Sequence, residues 1–463
     1  MPIKGRVGRH ASSGANCQNW VADQMTVIGL LNLIPPTDGG SGGSLDGDHV
    51  VAGVASDALY KAILAFQRKY APAQVSGFVD PASALLTRME NLASRLGSVS
   101  STPPAPASSG QWGEFQSGSV QRALYKALTA DTQLSHSAVV DILYATLDNG
   151  TLSTSEIADL KMVAEKSRTI PDRSKKMLLM FVTEATTNRS LGPYRLPTVE
   201  HVRAADIVCD FLKRSGHGLW PRLDRDEVGV GILMRLAYPS LLKQGNANVC
   251  GPAAFLFELL QDHPASYAVY AVDMYDQRTA RLRGLVISPS DRLRHALYPG
   301  VEAVDWLTMG SLRDSEDWFF TFDSTDDTFR VNVSAATTMY EMVWWFTKAG
   351  YSDVQQDCDW LRHQRDTDNM DKASELFSKG YRVCLLIDAP GNPPQIFPSN
   401  LSGSAALQDR HWIVLRSTID RSAGNVKLTV YSWGDANVQV PKTGTLSVSD
   451  FLENYYGYVA AKP

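Results

Sequence analysis

Apolar residues recur at three-to-four spacing through most of the first 350 residues, and form continuous or alternating runs mainly after Gly380. The first pattern predicts helices that bury one face, and the second predicts β-strands. In the N-terminal segment, helices are predicted at 20–33 and 57–70, with a short third helix after Val79-Asp80-Pro81. Further helices are predicted at 120–128, 137–147, 155–166, 174–187 and 199–213.

The C-terminal part, from about Trp220 to Pro463, contains both patterns. A helix is predicted at 255–260, short apolar runs lie at 267–274 and 284–288, and an aromatic-rich helix is predicted at 339–346. Strands are predicted at 382–387, 411–415, 426–431 and 455–459. Helices followed by an antiparallel sheet indicate an α+β fold. We expect a small N-terminal helical module, a central helical block and a C-terminal domain of helices and antiparallel sheet.

A stretch rich in Ser, Pro, Gly and Ala divides the chain at 97–118. Its composition offers nothing periodic to bury and is typical of a flexible linker. The predicted domains are therefore an N-terminal module at 1–96, a helical domain at 119–219 and a larger C-terminal domain at 220–463.

The composition excludes several classes of protein. The 463 residues include 44 basic and 49 acidic side chains, for a net charge of −5, which gives no support to nucleic-acid binding. The five cysteines are widely spread and suit neither a disulfide framework nor a zinc site, so we expect no metal and no cofactor. No uncharged apolar run reaches 18 residues, which argues against a membrane span.

The N-terminus carries basic residues without the apolar segment of a signal peptide. We therefore expect a protein that is made in the cytoplasm and, if exported, leaves by a route that reads no signal peptide.

Asp148-Asn149-Gly150 with Glu156 looks at first like part of a calcium loop. With Gly150 at loop position six, positions one and three become Ala145 and Leu147, which cannot bind calcium through their side chains. A helix start with Ser153 as N-cap and Glu156 three residues later, a capping box, is the better interpretation.

Cys250 is the strongest candidate for chemistry. It precedes Gly251 and Pro252 at the start of an apolar helical run, and proline is favoured in the first helical turn. A helix N-terminus and a nearby imidazole both favour the thiolate, which is the nucleophilic form of cysteine. His411, at the start of an apolar strand, is the candidate base, and Gln244 lies six residues before the cysteine.

The N-terminal segment carries two short motifs, Ala62-Ile63-Leu64-Ala65-Phe66-Gln67 and Gly77-Phe78-Val79-Asp80-Pro81. Together with Val7-Gly8-Arg9, Leu30-Leu31-Asn32, Gly39-Gly40 and Leu45-Asp46-Gly47, they resemble the small three-helix peptidoglycan-binding modules over roughly residues 5 to 95. The resemblance implies binding to peptidoglycan. Ser76-Gly77-Phe78 replaces the Asp-Gly of the family, so a helical adaptor that kept the fold and lost the ligand is the alternative.

The C-terminal part is similar to papain-like cysteine peptidases. Gln244-Gly245 followed by Cys250 matches the oxyanion glutamine and helix-opening nucleophile of that family, and His411 matches its general base. The resemblance implies an imidazolium–thiolate pair that attacks an amide carbonyl, with the oxyanion held by the Gln244 side chain and the Cys250 N–H. The thioester formed would then be hydrolysed by water.

The third member of the site is less clear from the sequence. Tyr431-Ser432-Trp433-Gly434 resembles the Asn-Ser-Trp-Gly of the family, but Tyr431 stands where the family has the asparagine that orients the histidine. Asp435 is our first choice for this role because a carboxylate accepts well from an imidazole N–H. Asn437 and Ser432 are the alternatives.

Two classes of function fit these features. In the first, the protein is a secreted antibacterial toxin that cuts peptide bonds in peptidoglycan stem peptides or in a target-cell protein, and it resembles the effectors of type VI secretion machines. Its partners would then include peptidoglycan, a peptide or protein substrate, a secretion-machine component and a cognate immunity protein. It would act in the periplasm or cytoplasm of the target cell. In the second, it is a catalytically inactive wall-binding or phage-tail-like structural protein.

Overall fold

Both periodicities of the sequence are realised in the computed structural model. It describes residues 3–463 except 10–16, 35–38, 42–44, 46–49, 51–52, 73–74, 82, 100–114, 131–133, 167–169, 246, 248, 297–299, 317–336, 360–361 and 390–409. The chain divides into two compact units, Met1–Ser109 and Gly110–Pro463. The division falls inside the predicted linker at 97–118, of which residues 100–114 lie outside the described part.

The first unit contains three helices and a short two-stranded ladder. The elements are β1 (Val7–Gly8), α1 (Val21–Leu33), α2 (Asp57–Tyr70), β2 (Phe78–Val79) and α3 (Ala84–Val99). Strands β1 and β2 pair antiparallel. Leu59, Ile63 and Phe66 of α2 are fully buried, as their spacing predicts.

The second unit begins with eight helices. They are α4 (Gly118–Ala130), α5 (His136–Leu147), α6 (Thr154–Lys166), α7 (Asp172–Thr187), α8 (Val199–Lys213), α9 (Arg225–Ala237), α10 (Cys250–Asp262) and α11 (Pro264–Asp276). The capping box before α6 is confirmed, because the Ser153 N–H donates to Glu156 at 2.9 Å and the Glu156 N–H donates to the Ser153 hydroxyl at 3.2 Å. The apolar run at 267–274 lies within α11.

Short elements connect these helices to the sheet. They are the hairpin β3 (Ala280–Leu282) and β4 (Leu285–Ile287), α12 (Asp291–His295), α13 (Ala303–Asp305), a π-helical turn (Trp306–Gly310), α14 (Ser311–Ser315) and α15 (Met339–Lys348). The predicted boundary at 219/220 does not separate two compact units. One continuous core runs from Val120 on α4 to Ala461 in the sheet, so the helical block and the C-terminal part fold as one body.

A six-stranded antiparallel sheet completes the unit, and with it the predicted α+β fold. Its strands are β5 (Ser352–Cys358), β6 (Arg382–Asp388), β7 (Arg410–Leu415), β8 (Leu428–Ser432), β9 (Asp435–Val440) and β10 (Tyr455–Lys462), in the order β5-β10-β6-β7-β8-β9. The helices α16 (Asp368–Ser378) and α17 (Val448–Leu452) lie between strands in the sequence.

The two faces of the sheet are covered differently. Side chains alternate along a strand, and Trp412 and Val414 of β7 join the large helical core that contains α10. Ile413 and Leu415 join a second core with α16 on the opposite face. In the described part of the chain, no helix has the length and hydropathy needed to span a membrane.

Candidate active site

Cys250 is the first residue of α10, where backbone N–H groups have no acceptor within the helix. Val249 provides no side-chain cap there. The backbone N–H groups of Trp412, Gly251 and Cys250 lie near the Cys250 sulfur and lower the pKa of its thiol. Because Trp412 directly follows His411, the sulfur lies near the strand that carries the candidate base.

The sulfur reaches β7 at an open stretch of its edge. In the ladder between β7 and β8, only Val414 and Leu415 are paired. Trp412 lies beyond the paired part of this ladder. On the other side, β7 pairs with β6, with His411 opposite Ile387.

The start of α10 is closely covered by Thr337. A Cβ at Gly251 would lie 2.2 Å from the Thr337 hydroxyl oxygen, so only glycine fits there. The Trp412 indole N–H donates to the Thr337 carbonyl at 2.8 Å. Thr337 thus contacts both the helix of the nucleophile and the strand of His411.

The electrostatic environment favours a neutral thiol at rest. Burial raises the pKa of Cys250, and the three N–H donors and the nearby Arg313 guanidinium offset this only in part. Arg313 is itself fully buried and donates to the buried Glu341 at 3.0 Å.

His411 is the second residue of β7 and is 4% exposed. Its Nε2 lies 2.8 Å from the Ser432 hydroxyl, which can donate or accept according to the tautomer. Burial lowers the pKa of His411 to about 4. The imidazole is therefore neutral at pH 7, and the expected imidazolium–thiolate pair is not the resting arrangement of the site.

Ser432, rather than our first choice Asp435, is the side chain that the structure shows in contact with His411. Asp435 is exposed on β9, and its Oδ1 accepts from the backbone N–H of Asn437, which is also exposed. Ser432 pairs with Asp435 across a tight turn in which both central residues have positive φ. This turn carries Asp435 onto the outermost strand, and leaves Ser432, one of the two alternatives, in contact with His411.

Tyr431, at the position of the family's asparagine, has a different partner. Its ring stacks on Phe257 of α10, with 3.8 Å between centroids. Its hydroxyl donates to the Leu242 carbonyl at 2.5 Å, two residues before Gln244.

Gln244 lies in the segment that leads to α10 and is 4% exposed. Its carbonyl accepts from the Ala247 N–H at 3.0 Å. The side-chain oxygen Oε1 is buried without a hydrogen-bond partner among the described residues. This oxygen can accept a hydrogen bond, whereas stabilisation of an oxyanion would use the Nε2 donors of the same amide.

The first unit has a separate candidate site, a cavity of about 450 Å³. Its lining includes Gln67, Phe78, Asp80 and Ser83, all close to the motifs that resemble peptidoglycan-binding modules. Arg6 forms an ion pair with Asp80 at 2.5 Å, and its guanidinium lies 4.1 Å above the Phe78 ring. The cavity therefore combines polar side chains with the aromatic ring of Phe78, one face of which is covered by Arg6.

Some contacts of the site have no signal in the sequence. Thr337 and Arg313 belong to no motif; tertiary packing places Thr337 against Gly251 and brings the Arg313 charge close enough to lower the pKa of Cys250. In the described part of the chain, no group of three or more His, Cys, Asp or Glu side chains is arranged to hold a metal ion.

No protein family, curated protein or solved structure matches the chain.

Proposed function

We propose that the C-terminal part of the second unit is a papain-like cysteine hydrolase that cleaves peptide or amide bonds, with Cys250 as nucleophile and His411 as base. The observation that carries the proposal is that the N–H of Trp412, the residue next to His411, lies near the Cys250 sulfur, at the start of α10. A helix-opening cysteine and a buried imidazole on the adjacent strand are the components that thiol hydrolysis needs.

The neutral resting state indicates how the reaction starts. His411 takes the thiol proton as the sulfur attacks the carbonyl carbon of the substrate, so the charged pair forms only during the reaction. The Ser432 hydroxyl, on Nε2, holds the ring so that Nδ1 is the atom left to receive the proton.

The negative charge that develops on the substrate oxygen needs donors. The Cys250 N–H at the start of α10 and the Gln244 amide are the candidates. When the carbon–nitrogen bond breaks, His411 returns the proton to the leaving amine. Water then attacks the thioester, gives up a proton to His411, and releases the acid and the free thiol.

The setting that we propose is antibacterial. The N-terminal unit would bind peptidoglycan through the cavity beside Phe78 and Asp80, since saccharides are commonly bound by an aromatic face with polar groups around it. The substrate would be a stem peptide of peptidoglycan or a target-cell protein. Delivery by a type VI secretion machine and protection by an immunity protein are part of this proposal, supported by domain order alone.

A catalytically inactive wall-binding or phage-tail-like protein is the second candidate, and two observations favour it. Because side chains alternate along a strand, His411 lies on the same side of β7 as Ile413 and Leu415, which face away from α10. In addition, its partner is a hydroxyl, which accepts less strongly than a carboxylate. In this candidate function the C-terminal part would hold peptides without cleaving them.

Growth of a bacterial host tests the proposal. The full chain is expressed in the cytoplasm and, separately, behind a periplasmic signal, each beside a Cys250→Ala control. Toxicity that requires both the periplasm and Cys250 would support peptidoglycan hydrolysis. Cytoplasmic toxicity that requires Cys250 would support an intracellular protein target. An absence of toxicity from both forms would favour the inactive protein.

Binding of the purified chain to isolated peptidoglycan sacculi tests the role of the first unit. We expect co-sedimentation that weakens when Phe78→Ala removes the aromatic face of the cavity. Equal sedimentation of both proteins would contradict a role for this cavity.

A further inference from the structure

Three consecutive residues before Gln244 are each held through a backbone group. The Leu241 carbonyl accepts from Nη2 of Arg235 at 3.4 Å, and the Leu242 carbonyl accepts from the Tyr431 hydroxyl at 2.5 Å. The Lys243 N–H donates to Oδ2 of Asp305 at 2.9 Å. We call Arg235, Asp305 and Tyr431 the clamp.

The members of the clamp are fixed by one another and by the core. Arg235 binds Asp305 through two hydrogen bonds, Nε to Oδ1 at 2.6 Å and Nη2 to Oδ2 at 2.7 Å. Their exposed fractions are 1% and 0%. Tyr431 lies flat on Phe257, with 2° between the rings. Because Phe257 belongs to α10, the clamp also ties the Gln244 segment to the helix that begins with Cys250.

The next residue is fixed as well. Gly245 has a φ of 55°, and a Cβ at this position would lie 2.3 Å from the Gly300 carbonyl oxygen. The segment therefore packs directly on the backbone just before α13, which carries Asp305. A residue with a side chain would push the segment away.

Gln244 itself contributes little to its own placement. Its carbonyl accepts a hydrogen bond from Ala247, but its side-chain Oε1 is buried without a partner in the described part of the chain. A buried amide oxygen left unpaired is costly. The surrounding structure must supply that free energy, and the three contacts on the preceding residues are placed to do so.

We propose that Tyr431, together with the Arg235–Asp305 pair, positions the Gln244 amide for stabilisation of the oxyanion. This deepens the proposed function and rests on it. Tyr431 stands where the family motif has the residue that orients the histidine, and here it would orient the oxyanion glutamine instead. Tyr431 is a positioning residue, because it acts on the substrate only through Gln244.

The test separates oxyanion binding from thiol reactivity. Iodoacetamide alkylates Cys250 by displacement of iodide and forms no oxyanion. The peptide aldehyde acetyl-alanyl-alaninal instead adds reversibly to the thiol; a carbon–sulfur bond forms, and the carbonyl oxygen takes the proton to give a hemithioacetal. The alkylation rate is followed by mass spectrometry of the peptide that contains Cys250. The aldehyde concentration that halves this rate measures the affinity of the aldehyde for the site.

Tyr431→Phe is the main variant, because it removes one hydroxyl and keeps the stacked ring. We expect roughly tenfold weaker aldehyde binding, about the loss of one hydrogen bond, with an unchanged alkylation rate in the absence of aldehyde. In the Gln244→Ala background, Tyr431→Phe should have no further effect. Tyr275→Phe is the matched control, since Tyr275 is a buried tyrosine that donates to the Leu223 carbonyl at 2.8 Å.

Three results would overturn the inference. The first is an unchanged aldehyde affinity in Tyr431→Phe. The second is an equal loss of aldehyde affinity in Tyr275→Phe. The third is a loss from Tyr431→Phe that adds fully to the loss from Gln244→Ala in the double variant. If the wild type is alkylated at Cys250 but Gln244→Ala binds the aldehyde normally, the oxyanion role of Gln244 fails and the positioning role falls with it. Absence of alkylation or of aldehyde protection in the wild type would contradict the proposed hydrolase itself.

Discussion

On the Gln244 side of the site, three buried side chains hold successive backbone groups, whereas on the His411 side the Ser432 hydroxyl is the one hydrogen-bond partner of the imidazole among the described residues. The difference matches the demands on the two groups. An oxyanion donor works best when its position is fixed before charge develops. A base that takes up and returns a proton must tolerate two charge states. The site is therefore expected to respond strongly to backbone changes near Gln244 and weakly to loss of the Ser432 hydroxyl.

The largest expected effect concerns the charge state of two buried groups. Burial lowers the pKa of His411 from its ordinary value of 6.5 to about 4. The imidazole is therefore protonated more readily in the unfolded protein, and folding stability is lost as the pH falls from 6.5 towards 4. Burial raises the pKa of Glu258 on α10 to about 7, so its contribution is present below its ordinary value of 4.5 and is lost as pH rises through 7. Each group changes the free energy of unfolding by roughly 3 kcal/mol over nearly the same pH range, and the two changes have opposite sign.

Urea unfolding between pH 4 and 7 measures these contributions. The effects of His411 and Glu258 should largely cancel in the wild type. Relative to wild type, Glu258→Gln should lose stability as the pH falls from 6.5 to 4, and His411→Gln should gain stability over that range. Parallel profiles for all three proteins would show that neither group is held in its neutral form.

The next effect tests the Gln244 side of the site, where the backbone is closely packed. Gly245→Ala should lower the free energy of unfolding by roughly 2 to 3 kcal/mol, because its Cβ would meet the Gly300 carbonyl oxygen and its φ is positive. Gly300→Ala is the control and should cost only about 1 kcal/mol, since Gly300 also has a positive φ but no atom of the described residues lies within 4 Å of its Cβ position. Equal losses would mean that close packing at Gly245 adds nothing.

The smallest effect tests the His411 side of the site, where the Ser432 hydroxyl contacts the imidazole. Ser432→Ala should slow substrate hydrolysis by roughly tenfold, about the value of one hydrogen bond. Asp435→Ala should leave the rate unchanged, because Asp435 is exposed and does not contact His411. A larger loss for Asp435→Ala than for Ser432→Ala would return the orienting role to the carboxylate.

Much of the fold could be predicted from local pattern. The helix that starts at Cys250 and the buried strands β6, β7 and β10 follow from apolar periodicity and from Pro252 in the first turn. The two edge strands β5 and β9 were missed. Their sequences are polar because an edge strand lies partly in solvent, so they lack the apolar runs that mark the central strands.

The candidate site divides in the same way. Cys250, Gln244 and His411 each carry a local signal, and all three are buried in the structure. The partner of His411 depends on the turn after Ser432, and the partner of Tyr431 depends on packing against α10. Contacts between residues nearly 200 positions apart, such as Tyr431 with Leu242, have no signature in a single sequence.

Dependence of Cys250 reactivity on His411 is the most direct test of the proposed site. The rate of alkylation by iodoacetamide at pH 7 is measured for each cysteine by mass spectrometry, in the wild type, His411→Gln and His363→Gln. The last variant is the control, because His363 contacts a different residue, the buried Asp388, at 2.8 Å. We expect His411→Gln to slow alkylation of Cys250 by about 100-fold or more, with the rate at Cys17 unchanged and His363→Gln without effect. An equal Cys250 rate in all three proteins would contradict His411 as the base.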